Sequence, residues 1–315
     1  MALSWSQYPL LPYKKYFVRL NMQDNRSSEK RPISIAENQT PAIPVLKAFI
    51  YLVMVFLGVL ALLPVYLVFI NITRSTPEIN SGLTLLPSVH LLDNWRILNS
   101  TGFSLSRGFF NSFLIASLTS LCATYSSAMA AYGIHVYQFR FKRALWGMIM
   151  FVMLFPLSLS YIGFFRIVFS LRLLDSYIPL IVPAIASPVV VFFLRQYLVS
   201  LPVRELAEVS RIDGAGEFWT FNAIILPVMG PALATQAFFI FVASWNNFVL
   251  PYILLSDRKL FTLPMMAVLL QADIHNVEFG GIYLGIALSF IPAICVYIVA
   301  SRFIISGITA GSFKE

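Results

Sequence analysis

A charged segment, "RELAEVSRIDGAGEFWTF" (residues 204–221), interrupts a chain that is otherwise strongly apolar. Six of its eighteen side chains are charged, whereas charged residues make up 11% of the whole sequence. Carboxylates and guanidinium groups at this density could take part in acid–base chemistry, hold a metal ion or form ion pairs. Which of these applies depends on the chemical groups that the rest of the chain supplies.

The sequence lacks the motifs of a metal or nucleotide site. Its histidines, His90, His135 and His275, stand apart, and no HExxH or CxxC spacing gathers metal ligands. There is no GxxxxGK[ST] loop for ATP phosphates, and the "GAG" at 214–216 lacks the third glycine of a dinucleotide loop. No paired acid, base or nucleophile typical of a membrane enzyme is present either. We therefore expect no catalytic residue, no bound metal and no cofactor in this chain.

The composition predicts an all-α polytopic membrane protein. Of its 315 residues 58% are hydrophobic, against about 45–50% in soluble domains, and the mean hydropathy is +0.79. A membrane-spanning helix needs about 20 predominantly apolar residues. Six runs free of Asp, Glu, Lys and Arg approach or exceed that length: 48–73, 108–139, 144–165, 176–194, 218–256 and 279–301. Six transmembrane helices would leave both termini on one side of the membrane.

The distribution of basic residues orients the chain. With the N-terminus in the cytoplasm, inner segments hold fifteen of the 22 Lys and Arg residues, as the positive-inside rule requires. The formal charge of +8 then reflects topology and anionic headgroups, and a nucleic-acid partner is not expected. We predict a cytoplasmic N-terminal tail over residues 1–46, a transmembrane domain over 47–315, and a cytoplasmic loop, the charged loop (about 201–229), between spans four and five.

Every carboxylate lies outside the charge-free runs. Carriers driven by protons or sodium ions usually keep an ionisable group inside the bilayer as a relay or ion ligand. The absence of one from the predicted spans argues against an ion-coupled secondary carrier.

The charged loop has a helical pattern. Apolar residues recur at a spacing of three, which predicts an amphipathic helix from Val203 to Ile212; they are Val203, Leu206, Val209 and Ile212. Glu208 is four residues from Arg204 and three from Arg211, so we expect it to pair with both. Asp213 and Gly214 should end this helix, because glycine tolerates the left-handed conformation of a C-terminal cap.

A second helical stretch should begin at Glu217. Its apolar side would carry Phe218, Phe221, Ile224 and Ile225, and Pro227 and Pro231 would separate it from the fifth span. These patterns alone are equally compatible with an ordinary solvated loop.

The residues of the charged loop resemble a known motif. "RELAEVSRIDGAGEFWTFNAIILPVMGPALAT" (204–235) resembles the cytoplasmic EAA loop in the membrane-spanning subunits of binding-protein-dependent ABC importers. Glu208 matches the acid of the motif, Asp213-Gly214-Ala215 its turn, and Ile225-Leu226-Pro227 its end. Val209 and Ser210 stand where that family has two alanines.

Further stretches are similar to the sugar branch of that family, the maltose-permease type of carbohydrate uptake system. They are "LTLLPSVHLLDNWRIL" (83–98), "NSFLIASLTSLCATYSSAMAAYG" (111–133), "LRLLDSYIPLIVP" (171–183), "SWNNF" (244–248) and "GITAGSFKE" (307–315). The resemblance covers about residues 45–315 and implies a permease subunit in the cell membrane that carries a sugar or oligosaccharide.

The resemblance also implies partners. A second homologous permease would complete the pathway, two ATPase subunits would bind ATP and Mg²⁺, and an extracytoplasmic solute-binding protein would deliver the cargo. Contact with the ATPase would fall to the charged loop, at Arg204, Glu205, Glu208, Arg211, Asp213 and Gly214. The C-terminal stretch 307–315 would reach toward the same ATPase, unless it is a frayed tail.

Three neighbouring residues are candidates for the substrate pathway: Trp245, Asn246 and Asn247. They lie near the middle of the predicted fifth span, where an unpaired amide is costly. Asparagine also joins helices within membranes, so a packing role stays open. The remaining alternatives are a permease for another solute, such as a polyol, a phosphodiester or an amino acid, an ion-coupled carrier, and a purely structural membrane subunit.

Overall fold

The computed structural model describes residues 42–100, 104–155, 160–271 and 278–312. The chain divides into two compact units, residues 1–55 and residues 56–315. The first unit contributes the start of one long helix. The predicted N-terminal tail, up to residue 41, lies outside the described residues.

The described residues are almost entirely helical and contain no β-strand. The α-helices are α1 (Ala42–Asn71), α2 (Thr76–Asn80), α3 (Leu91–Ser100), α4 (Leu105–Val136), α5 (Lys142–Met153), α6 (Tyr161–Ser170), α7 (Ile178–Ile181), α8 (Pro188–Val199), α9 (Val203–Ile212), α10 (Glu217–Trp219), α11 (Leu226–Val228), α12 (Gly230–Trp245), α13 (Val249–Leu254), α14 (Leu263–Gln271) and α15 (Phe279–Ser312). Two 3₁₀ turns, Val182–Ile185 and Arg258–Leu260, and a π-helical stretch, Thr220–Ile225, complete the helical segments of this part of the chain.

Four helical segments in the described ranges are long and apolar enough to cross a membrane: Leu46–Asn71, Leu105–Val136, Ile178–Val199 and Phe279–Val299. A fifth candidate is the pair Glu217–Val228 and Gly230–Trp245, which is bent by 81° at its break. These agree with five of the six predicted spans. The predicted third span corresponds to two shorter helices, α5 and α6, and the residues between them that include Pro156 lie outside the described residues.

Prolines interrupt the helix of the predicted fourth span. Pro183 lies in the 3₁₀ turn that follows α7, and Pro188 is the first residue of α8. Proline has no N–H for the preceding turn and is best accommodated at the start of a helix. Pro292 behaves differently, because α15 continues through it without a break.

Helix α4 is the centre of the bundle formed by residues 56–312. It packs against α8 and α12, and α12 packs in turn against α15. Near its C-terminal end, buried residues of α4 join those of α8 and of the charged loop in one apolar cluster that includes Tyr132, Leu194, Val203, Phe221 and Ile225. The loop is therefore continuous with the core of the membrane-spanning helices.

A buried asparagine of α3 holds the turn that follows α1. Asn94 is 2% exposed, and its Nδ2 donates to the carbonyl oxygens of Ile72 at 2.8 Å and Arg74 at 2.9 Å. Gly280, in the first turn of α15, lies directly against this amide, so a Cβ at that position would overlap with Asn94. The glycine lets α15 approach α3 without displacing the amide from its two carbonyl partners.

We expect Gly280→Ala to destabilise the protein, because Asn94 cannot move aside without losing its buried hydrogen bonds. Overpacking of this kind costs about 1–3 kcal/mol, which should lower the thermal unfolding midpoint by several degrees in detergent. Gly285→Ala is the matched control on the same helix. Its Cβ would meet only Leu98 Cδ1 at 4.0 Å, and an unchanged or higher midpoint is expected there. Equal midpoints for the two variants would contradict the assigned packing.

Candidate functional site

Helix α9 begins and ends at the residues that the sequence predicted, but it buries a different face. Val203, Ala207 and Ser210 are buried, whereas Val209 is 56% and Ile212 85% exposed. The predicted amphipathic helix is confirmed, but its apolar stripe packs on the cluster at the end of α4 only through Val203 and Leu206. Val209 and Ile212, in the second half of the stripe, face away from it.

Ser210 has a hydrogen-bond partner inside the loop. Its Oγ lies 2.7 Å from Thr220 Oγ1, and both hydroxyls are buried. This bond joins α9 to the start of the π-helical stretch. The serine that stands in place of an alanine is therefore buried and bonds within the loop.

Gly214 makes the turn that follows α9. Its φ is +81°, the left-handed region that favours glycine. The N–H of Gly214 donates to Arg211 O and that of Ala215 to Ser210 O, each at 3.0 Å. This pair of bonds is the Schellman motif, and it confirms the predicted end of the helix at Asp213.

Beyond the turn, an ion pair closes the loop. Arg211 Nε donates to Glu217 Oε1 at 2.6 Å, and the hydroxyl of Tyr137 donates to Glu217 Oε2. The guanidinium of Arg211 also lies over the Tyr137 ring, 5.6 Å from its centroid. Its hydrogen bond to Glu217 raises the pKa of Arg211 above its usual value. The expected pair between Arg211 and Glu208 is not formed, because the glycine turn brings Glu217 closer.

Arg204 also has a different partner from the one expected. Its Nη2 donates to the carbonyl oxygen of His135 at 3.2 Å, in the last turn of α4. Lys142 Nζ donates to Tyr137 O at 2.9 Å and lies 3.5 Å from the same His135 oxygen. Cations are favoured at the C-terminus of a helix, where carbonyls lack intrahelical partners. Arg204 thus attaches α9 to α4 and leaves Glu208 without an ion pair among the described residues.

The second helical stretch does begin at Glu217, as predicted, but it is irregular. Residues Thr220–Ile225 form π-helix, with Phe221 and Ile225 buried and Phe218 exposed. Pro227 lies two residues beyond the π-helical stretch and has no N–H to donate to the preceding turn. A π-helical turn often accompanies the loss of such a backbone hydrogen bond. The 81° bend to α12 comes next, between Pro227 and Pro231, within the bent pair that forms the fifth candidate span.

The outer face of α9 is uncovered. Glu205, Glu208, Val209, Ile212 and Asp213 are exposed. A groove of about 270 Å³ runs beside them; it is lined by Pro202, Glu205, Leu206, Val209, Ser210, Asp213 and Ile224. The helix is thus held on one side by buried packing and offers acidic and apolar groups on the other.

The three substrate-pathway candidates have different environments. Trp245 is 1% exposed, its Nε1 donates to Ser289 O at 2.8 Å, and its ring stacks on Phe241 at 5.9 Å. Asn247 Oδ1 accepts from Leu250 N at 3.3 Å, at the start of α13. Asn246 is exposed. Among these three residues, Asn246 is the one whose side chain is exposed and has no hydrogen-bond partner in the described ranges.

A cavity of about 540 Å³ lies between α4, α12 and α15. Its wall is largely apolar, and α4 adds polar groups at helical spacing; they are Ser117, Ser120, Thr124 and Tyr125. Ser120 Oγ donates to Ala237 O at 2.6 Å, whereas Thr124 Oγ1 is buried without a partner in the described residues. In the sequence Ser117, Ser120 and Thr124 are typical of small packing residues in a membrane helix, and their common face on α4 was the available signal for the cavity.

We expect Gly214→Ala to loosen the loop, because a left-handed conformation costs a residue with a Cβ about 1–2 kcal/mol. Amide hydrogen exchange over residues 203–221 should become several-fold faster. Gly216→Ala is the matched control, since Gly216 has a φ of −72° and open space around its Cα. Equally fast exchange in both variants would show that the turn does not depend on the conformation of Gly214.

The sequence and fold resemble those of known transport proteins. The chain is 31% identical over 278 residues to the arabinooligosaccharides transport system permease protein AraQ of Bacillus subtilis (strain 168), covering 87% of this chain and 98% of that protein. It is 28% identical over 274 residues to the diacetylchitobiose uptake system permease protein NgcG of Streptomyces coelicolor, covering 85% and 89%. The sn-glycerol-3-phosphate transport system permease protein UgpE of Agrobacterium fabrum is 26% identical over 274 residues, covering 84% and 96%.

A solved structure shares the fold. A chain in the crystal structure of a bacterial ABC transporter involved in the import of the acidic polysaccharide alginate superimposes with a TM-score of 0.70 at 20% identity, covering 84% of this chain and 98% of that one. Residues 42–309 match a family described as the binding-protein-dependent transport system inner membrane component. The chain belongs to this family of inner membrane transport components.

Proposed function

We propose that this chain is the permease subunit of an ATP-driven importer and forms half of the translocation pathway for a sugar or oligosaccharide. The observation that carries the proposal is the geometry of α9. Its inner face is bound to the end of α4 and its outer face is open, as expected of a helix that transmits a movement from a separate protein. The family and the printed names of the relatives support the same function.

In this proposal α9 lies in a groove of an ATPase subunit. Glu208 has no ion pair among the described residues and is free to meet a basic residue there, while Val209 and Ile212 supply apolar contact area. Closure of two ATPase subunits on ATP and Mg²⁺ would move α9, and α4 and α8 with it, because the three share one buried cluster. Such a switch biases a two-state equilibrium between inward-open and outward-open pathways.

The remaining parts of the proposal follow from the family. Helices α5 and α6 would together form the third of six spans, with both termini and the charged loop in the cytoplasm. A second homologous permease would complete the pathway, and an extracytoplasmic solute-binding protein would deliver the cargo. This chain would bind no cofactor, since the ATP sites belong to the partner subunits.

A sugar is the cargo that the relatives favour. Two of the proteins described above are named for an arabinooligosaccharide and for diacetylchitobiose. Exposed Asn246 and the hydroxyls of α4 that face the cavity are suited to hydrogen-bond sugar hydroxyls. A phosphodiester or a related phosphorylated polyol is the second candidate, because another relative is named for sn-glycerol-3-phosphate.

We expect Glu208→Lys to leave membrane insertion intact and to lower ATP-dependent uptake by about tenfold or more, because a reversed charge is repelled by a basic groove. Glu208→Gln should have a smaller effect, since it removes the charge without reversing it. Uptake of labelled cargo into vesicles, measured together with ATP hydrolysis, tests both variants.

Ser210→Ala is the control on the opposite face of α9. It removes only the buried bond to Thr220 and should leave uptake close to that of the unmodified protein. Normal uptake by Glu208→Lys, or the absence of any ATPase when the tagged chain is purified in mild detergent, would refute the proposed coupling.

The cargo class can be tested on the partner binding protein. A neutral oligosaccharide should raise its thermal midpoint by several degrees at concentrations well above the Kd, whereas sn-glycerol-3-phosphate and amino acids should not. A shift with sn-glycerol-3-phosphate alone would replace the sugar assignment and keep the permease assignment.

A further inference from the structure

Three cations converge beside the last turn of α4. Lys142 Nζ and Arg204 Nη2 lie 3.5 Å and 3.2 Å from one oxygen atom, the carbonyl of His135. Arg195, on α8, is close enough for its charge to act on Lys142. Burial, and then the charges of Arg204 and Arg195, lower the pKa of Lys142. Within the described residues, this end of α4 therefore has a concentrated positive charge.

The cluster has no carboxylate partner. None of the three cations forms an ion pair with an acid in the ranges that the structure describes. Glu205 is the acidic group that acts on this region, through its charge on His135, but it is exposed and makes no bond to the cluster. Carbonyl oxygens satisfy two of the N–H groups of Lys142 and one of Arg204, so further donors stay available.

Arg195 is oriented by an aromatic side chain. Its guanidinium carbon lies 4.4 Å from the centroid of the Trp146 ring, and Trp146 stacks on Phe192 at 5.9 Å. Stacking on an indole leaves the N–H edge of a guanidinium for a bidentate acceptor. Its Nε is buried and has no acceptor among the described residues. A buried donor of this kind is satisfied when an anionic oxygen occupies the site.

An exposed apolar surface continues from the cluster. Leu145, Met148 and Phe151 follow Lys142 along α5 and are exposed, and Phe193 on α8 is exposed as well. Trp146, one turn beyond Lys142, packs instead on the buried cluster at the end of α4. Charge at one end and an uncovered apolar face beyond it suit a ligand with an anionic head and long apolar chains.

We propose that Lys142, Arg195 and Arg204 bind the phosphate of an anionic phospholipid headgroup in the cytoplasmic leaflet, with its acyl chains along the exposed face of α5. Anionic lipids are attracted to clustered Lys and Arg at the cytoplasmic membrane surface. The exposed apolar side chains of α5 favour a lipid over free phosphate and over an acidic protein partner, because neither of these would cover them. The site does not rest on the proposed cargo or on the coupling to an ATPase.

The test measures retention of a lipid by the full-length chain purified in mild detergent, using native mass spectrometry. Phosphatidylglycerol is titrated into the unmodified protein, into Lys142→Gln/Arg195→Gln, and into Arg140→Gln/Arg143→Gln. The second pair is the matched control, because it removes the same charge from the same region and its residues are exposed. The first pair should lower the apparent affinity by about tenfold or more, and the control pair should change it little.

Two further measurements identify the ligand and exclude misfolding as the cause of lost binding. Phosphatidylcholine, which carries a phosphate but no net charge, should bind more weakly, and 10 mM inorganic phosphate should not displace phosphatidylglycerol. Lys142→Arg keeps the charge and leaves the stacked guanidinium of Arg195 in place, so it should retain the lipid. An unchanged thermal midpoint of Lys142→Gln/Arg195→Gln then separates loss of the site from loss of the fold.

Equal retention by the two Gln pairs would overturn the site. Displacement of the lipid by inorganic phosphate would assign the cluster to a free anion. If Lys142→Gln/Arg195→Gln retained phosphatidylglycerol but lost a co-purifying protein, the cluster would be assigned to a protein contact. That result would also overturn the lipid proposal.

Discussion

The C-terminal end of α4 is the contact on which the charged loop depends. Carbonyl oxygens at the end of a helix have no intrahelical donors, and here Arg204 and Lys142 supply them from two different segments. The same end carries Tyr132 into the buried cluster with α8 and the loop. One unsatisfied helix terminus thus brings together three parts of the chain that are far apart in sequence.

This arrangement explains how a loop rich in charge can be rigid. Val203, Ala207 and Ser210 are buried and hold the inner face of α9. The Schellman turn at Gly214 reverses the chain. Glu217 then closes the loop by its bonds to Arg211 and Tyr137. The proposed function depends on this attachment, because a displacement of α9 can reach α4 only if the contact between them holds. Glu208, Val209 and Ile212 are exposed on the other side of α9, where the proposal places the partner protein.

The sequence was a good guide where a single rule dominated. Charge-free runs located five candidate spans. Asp213-Gly214 located the end of α9, because glycine readily adopts the left-handed conformation of a C-terminal cap. It failed where several partners competed. Glu208 was expected to pair with Arg204 and Arg211, but Arg204 reaches the end of α4 and Arg211 reaches Glu217. Spacing along one helix cannot account for acceptors that another helix brings into range.

Composition and local pattern were enough to predict that the chain is apolar and helical, that one loop between the spans is rich in charge, and that this loop forms two helical stretches about a glycine. These properties depend on neighbours within a few residues or on total composition. Contacts between distant segments set which face of α9 is buried, bring Ser210 to Thr220 and enclose Trp245 against Ser289. They also gather Lys142, Arg195 and Arg204 at one site. The physical reason is that burial and ion pairing are set by distances between segments, which no local pattern contains.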